Sequence, residues 1–131
     1  MNSHYDRLET RDAELREREQ MTLLRAQIAH AKTHSPAFGR ILQDVDPEAI
    51  DDRDALARIP VTRKSALVEL QKGARPFGGL ATTRWGAAAR VFASPGPIFE
   101  PEGRAPDYWR FARALFAAGF RNMGVLADCE D

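Results

Sequence analysis

At 131 residues, 44% hydrophobic and 29% charged, the chain has room for one domain with a modest core or for a piece of a larger one. Lys plus Arg and Asp plus Glu each number 19, so no global field draws it to nucleic acid or to an anionic membrane. The lone Cys129 rules out an internal disulfide and a cysteine-based zinc pattern, the opening MNSHYDRLETRD is too polar for a signal peptide, and no window approaches a membrane span. The expectation is a cytoplasmic protein.

From about Asp12 to His34 there is no proline or glycine, and Ala, Leu, Glu, Gln and Arg dominate, which predicts a long helix. Met21, Leu24, Ile28 and Ala31 share one stripe, while Asp12 to Gln20 is nearly all charged and Leu15 falls on another face. Only the second half of this helix is expected to be buried. The apolar seam is too short to favour a coiled-coil dimer over packing within the chain. His30 and His34, one turn apart, lack a third ligand nearby and read as solvated histidines rather than a metal site.

Ser35-Pro36 joins an N-cap to a proline at the first helical position, opening a short helix through Leu42. Asp46-Pro47 repeats the device, and Asp51 or Asp52 caps another short helix that ends at Ile59-Pro60. Thr62 is the expected cap of a helix from Arg63 to about Lys72 that partly buries Leu67, Val68 and Leu70. Lys64, in the first turn, opposes the macrodipole and reads as structural rather than catalytic. Residues 73–86 read as loop, with Pro76-Phe77-Gly78-Gly79 a turn cluster and Trp85 as its expected anchor on the core.

Arg90-Val91-Phe92-Ala93 is a β-favouring run that stops at Ser94-Pro95-Gly96-Pro97, where two prolines fix φ and remove donors. Ile98 to Glu100 resumes an extended path. From Tyr108 the period becomes helical: Tyr108, Phe111, Ala112, Leu115 and Phe116 form one face, Asp107 favours the positive end, and Gly119 is placed to cap the C-terminus. The expected helix covers residues 108–120. By sign, residues 1–60 hold 9 of the 19 basic and 12 of the 19 acidic side chains, while residues 61–127 hold 10 basic and 4 acidic. The positive second half suits a polyanion, or a surface whose arginines are solvated or paired with carboxylates elsewhere.

The runs IPVTRKSALVELQK, PFGGLATT, RVFASPGPIFEPEG and DYWRFARALFAAGF together resemble the N-terminal part of phenylacetate-CoA ligase-like proteins, members of the adenylate-forming (AMP-binding) superfamily. The resemblance implies an α/β family fragment: the mainly helical N-terminal part of a large domain, spanning residues 1–121, with short strands near 90–93 and 98–100 and a non-matching tail at 122–131. It implies ATP, magnesium and coenzyme A as the family's cofactors. It also implies that Ser94 and Gly96 stand in the slot of a phosphate loop of pattern S-S-G-T-T-G-K-P. Pro101 fits that pattern too, but Pro95, Pro97, Ile98, Phe99 and Glu100 replace the second serine, both threonines, the second glycine and the lysine. No catalytic residue and no metal ligand is expected in this chain, and none of the cofactors is expected to bind to it. Two functional readings follow: an N-terminal ligase fragment inactive alone, or a small helical interaction module. The partner is the remainder of a ligase, or a second copy joined through the 108–120 helix.

Overall fold

In the computed structural model, residues 4–120 are described; the tail at 122–131, with Cys129, lies outside them. A short 3-10 turn, Arg7–Thr10, precedes helix α1, Ala13–His34. Asp12 opens α1 by accepting the amides of Glu14 and Leu15, which fills donors that the first turn leaves orphaned. Its second half is buried through Met21 and Ile28, and Leu15 stays exposed, as the stripe requires. Ser35 ends α1 and begins α2, Pro36–Ile41, accepting the amide of Phe38. Asp46 caps a 3-10 turn at Pro47–Ala49, and Asp52 caps α3, Arg53–Ala57, with a 2.6 Å bond from the amide of Ala55.

These caps fold the chain back on itself, and the core closes between α1 and the segments after it. Ile28, Leu42, Ile50 and Ala55 are buried together, with Leu24, Ala31, Phe38, Ile41, Val45 and Ile59 packed around them. The Lys32 ammonium donates to the carbonyls of Gln43 and Val45, satisfying acceptors at the irregular end of α2. Arg53 reaches Glu17 with two parallel bonds of 2.7 Å, tying the charged half of α1 to α3.

Helix α4 spans Lys64–Gly73. Its cap position is Arg63, with no side-chain bond, so the expected cap at Thr62 is displaced by one residue. The turn at 76–79 is pressed onto α4: a Cβ at Gly78 would come within 2.9 Å of the carbonyl carbon of Leu70, and φ there is 68°, so only glycine fits. The same turn is stapled to the α1–α2 corner, where the Ser35 hydroxyl and the Ala37 amide both donate to the carbonyl of Gly79, at 2.8 and 3.0 Å. Phe77, not Trp85, is the residue this turn buries. Trp85 is 63% exposed and leans on Phe77 at 5.7 Å between ring centroids.

Strands β1, Arg90–Ser94, and β2, Ile98–Glu102, form a two-stranded antiparallel hairpin in the register Arg90 with Glu102 through Ser94 with Ile98. After it, the expected 108–120 helix is reduced to α5, Ala112–Ala117. The cause is local. Asp107 and Arg110 take φ of 49° and 57°, and the Asp107 carboxylate accepts the amides of Phe111 and Ala112 at 2.8 and 3.0 Å. A side chain thus takes amides that an earlier helical turn would have used, and the ladder begins only with the bond from Leu115 to the carbonyl of Phe111. The C-terminus follows expectation: Gly119 has φ 100°, its amide bonds to Phe116 and that of Phe120 to Leu115, the bonding of a Schellman cap.

Candidate functional site

The hairpin is the feature on which the sequence placed a site, and the structure shows what holds it. Gln71 is 7% exposed on the inner face of α4. Its amide nitrogen donates to the carbonyl of Phe99 and its amide oxygen accepts the Phe99 amide, both at 2.8 Å. One side chain therefore supplies the donor and acceptor that a third strand would have supplied to β2. Leaving these groups buried and unmet would cost about 1–3 kcal/mol each, so the pair ties the hairpin to the helical platform. The signal for this in the sequence is a glutamine one turn after Leu67 on the apolar side of a helix, a polar residue where burial is expected.

At the tip, Ser94 ends β1, half-buried, and pairs with Ile98 across the turn. Gly96 lies between the two prolines with φ 149°. Of the three turn residues, only Gly96 carries an amide donor. Ile98, Phe99 and Glu100 lie in the β2 ladder rather than in a loop, and the Phe99 amide is already given to Gln71. Glu100 is exposed and borders a cleft of about 520 Å3 walled by Leu67, Phe77, Ile98 and Trp109, with Thr82 and Thr83 at its side. Ser94 and Gly96 are thus brought to one end of the hairpin, with a carboxylate two residues beyond Ile98 and no cation of the turn beside them.

The far end of the hairpin is built from aromatic rings. The Trp109 indole donates to Glu102 at 3.2 Å, and Arg90 pairs with the same carboxylate at 3.3 Å. Phe92 and Tyr108 meet the Trp109 ring edge-on, at 6.1 and 5.1 Å. Tyr108 lies against Gly103, where a Cβ would approach its ring to 2.7 Å. Tyr108 and Trp109 therefore dock on the hairpin instead of extending a helix face. The N-terminal segment closes over α5: Arg113 pairs with Asp6 at 2.7 Å, and Tyr5 meets Phe116 edge-on at 5.8 Å. The guanidinium hydrogen bond holds the Asp6 carboxyl below the usual carboxylate range, as that of Arg53 does for Glu17.

His30 and His34 stack at 4.3 Å on the exposed side of α1, and among the described residues no group of three or more His, Cys, Asp or Glu could hold a metal ion. No helix among those residues is long and apolar enough to cross a membrane.

No protein-family model matches the chain, and no curated protein matches it. Two solved structures do. They are crystal structures of 2-hydroxyisobutyryl-CoA ligase in the postadenylation state, in complex with 2-HIB-AMP and with R3-HIB-AMP. The first superposes with a TM-score of 0.72 at 24% identity over 83% of this chain and 24% of that one. The second superposes with a TM-score of 0.77 at 23% identity over 92% of this chain and 28% of that one. The likeness is one of fold: a small, mainly helical unit with a two-stranded sheet that matches a fragment of an adenylate-forming enzyme. The chain spans about a quarter of the length of the ligases it matches.

Proposed function

We propose that this chain is the N-terminal part of an acid-CoA ligase of the phenylacetate-CoA ligase-like type, and that alone it forms neither acyl-adenylate nor acyl-CoA. The observation that carries the reading is the hairpin, whose serine-and-glycine turn stands on a helical platform of the same fold as part of a CoA ligase. In such enzymes a carboxylate and ATP give an acyl-adenylate and pyrophosphate, and the thiol of coenzyme A then displaces AMP. The turn here does not fit a triphosphate. It offers one hydroxyl, on Ser94, and one amide, on Gly96, between two prolines, with Glu100 where the pattern has its lysine. The Phe99 amide is engaged by Gln71. No phosphate-transfer step is assigned to these residues.

The test is direct. Purified chain incubated with ATP, magnesium and phenylacetate or fatty acids is expected to release no pyrophosphate. Acid-dependent release that disappears in Ser94→Ala or Gly96→Ala would overturn the reading.

A second reading, a helical interaction module, is favoured by the rings left on the surface: Phe92, Trp109, Phe111 and Phe120 are each 46–61% exposed. Their partner would be an intact ligase subunit, whereas a fragment would self-associate through its uncovered 108–120 segment. Because α5 is short, the residue to change is Phe111 as well as Phe116. Sedimentation at several concentrations separates the readings, a monodisperse monomer with one cooperative thermal transition favouring the module.

A further inference from the structure

In the last two turns of α1, on its exposed side, His30 and His34 stand with ring centroids 4.3 Å apart and planes 23° from parallel. Spacing of one turn does not by itself make a site. The structure adds a fixed tautomer, an uncommitted second ring and an uncharged surround. The Nδ1 of His34 lies 3.0 Å from the carbonyl oxygen of His30. A carbonyl only accepts, so Nδ1 carries the proton and Nε2 keeps its lone pair in the neutral ring. A backbone carbonyl on the other ring nitrogen is the arrangement that orients metal-binding histidines. The His30 ring makes no hydrogen bond among the described residues, and its contact is the stack on His34.

On this face of α1 the residues within a turn of either ring are Ala26, Gln27, Ala31 and Thr33, none of them charged. Lys32, the nearest cation in sequence, is turned to the carbonyls of Gln43 and Val45. The carbonyl end of the helix favours a positive guest. Two nitrogens bound to one ion at about 2.0–2.1 Å stand roughly 3 Å apart, and the broad χ2 torsion of histidine lets stacked rings tilt toward a common point. Neutral nitrogen donors with neither carboxylate nor thiolate beside them suit late first-row cations such as Ni2+, Cu2+ and Zn2+, and not the hard Mg2+.

We propose that His30 and His34 form a two-point chelate for a late divalent transition-metal cation, with water completing its coordination. The site is independent of whether the chain belongs to a ligase, since it uses neither the hairpin nor the clefts beside it.

The test titrates the full chain with nickel(II) chloride, followed by calorimetry and by a proton–nitrogen correlation spectrum. One equivalent is expected to bind, with paramagnetic broadening centred on the end of α1 and α5 unaffected. His30→Ala and His34→Ala are each expected to weaken binding about tenfold or more, because a shared helix presents the second imidazole at high effective concentration. Excess Mg2+ is expected not to displace the nickel, and His4→Ala and Cys129→Ser to leave its binding unchanged. Both imidazoles are exposed, so the metal-free variants keep the wild-type spectrum elsewhere. Two equivalents in wild type that become one in each single variant at unchanged affinity would show separate ligands and overturn the proposal. So would loss of binding in His4→Ala or Cys129→Ser, which would assign the metal to another part of the chain.

Discussion

The helical region from Asp12 to Ile59 and the hairpin region from Trp85 to Phe120 are bonded by different means. The first closes its own core. Its helices begin at side-chain caps on Asp12, Ser35 and Asp52, and Leu24, Phe38, Ile41 and Val45 pack against the buried cluster of Ile28 and Leu42. The second has more large rings than buried volume. Ile98 and Ala112 are buried, but Phe92, Trp109 and Phe111 stay 46–61% exposed. Its position depends on single polar side chains: Gln71 beneath β2, Asp107 at the start of α5, and Arg113 on Asp6. Local sequence signals suffice where burial is complete within the segment. Where it is not, a few long-range bonds decide the arrangement.

Substitutions can break that contrast at either end. The largest effect is expected in the helical core, where Ile28→Ala should cost about 2–5 kcal/mol, read as a lower denaturant midpoint, while Phe111→Ala on the exposed side should fall within about 0.5 kcal/mol. Equal losses at the two positions would show that the second region has closed its core as well.

Next is the tie between the regions. Gln71→Leu removes both bonds to Phe99 and should cost about 1–3 kcal/mol. The loss should be local: hydrogen exchange is expected to speed up at Phe99 and through β1 and β2, with α1 still protected. Uniform acceleration would mean that the chain unfolds as one unit.

A smaller effect tests the competition that shortens α5. Asp107→Ala frees the amides of Phe111 and Ala112, at a cost of about 1 kcal/mol typical of lost caps. If the carboxylate is what delays the helix, amide shifts will show helical structure moving toward Tyr108; an unchanged start would place the cause in the docking of Tyr108 and Trp109 instead.

The smallest effect is electrostatic. Asp6 and Glu17 have carboxyl pKa values lowered chiefly by bonds from Arg113 and Arg53, so the unfolded chain takes up protons at higher pH than the folded one. Their contribution is therefore present above the ordinary carboxylate range and fades as pH falls through the lowered values. Both are exposed pairs, and thermal midpoints of Asp6→Asn and wild type should differ slightly near neutrality and converge in acid. A difference that grew in acid would reverse the assignment.

Much of the first region could be read from the residues alone, because caps and helical period act over a few positions. Ser35 before Pro36 and Asp46 before Pro47 each name a partner within one turn, and the Met21 to Ala31 stripe marks its buried face by period alone. The strands expected near 90–93 and 98–100, which the structure extends to Ser94 and Glu102, and the Gly119 cap were legible for the same reason. Gln71 was not, since its partner Phe99 is 28 residues away, and neither was the burial of Phe77 in place of Trp85, which depends on how the turn at 76–79 sits on α4. At the candidate site, Ser94 and Gly96 and the prolines around them were visible as residue types. That the second-glycine position has its amide held by α4 came only from the fold. The period from Tyr108 onward was read as one helix because periodicity reports which residues are apolar, not which surface they meet. The packing of Tyr108 and Trp109 on the hairpin and the Asp107 carboxylate decided where helix begins, and both are set by contacts that a local pattern does not carry.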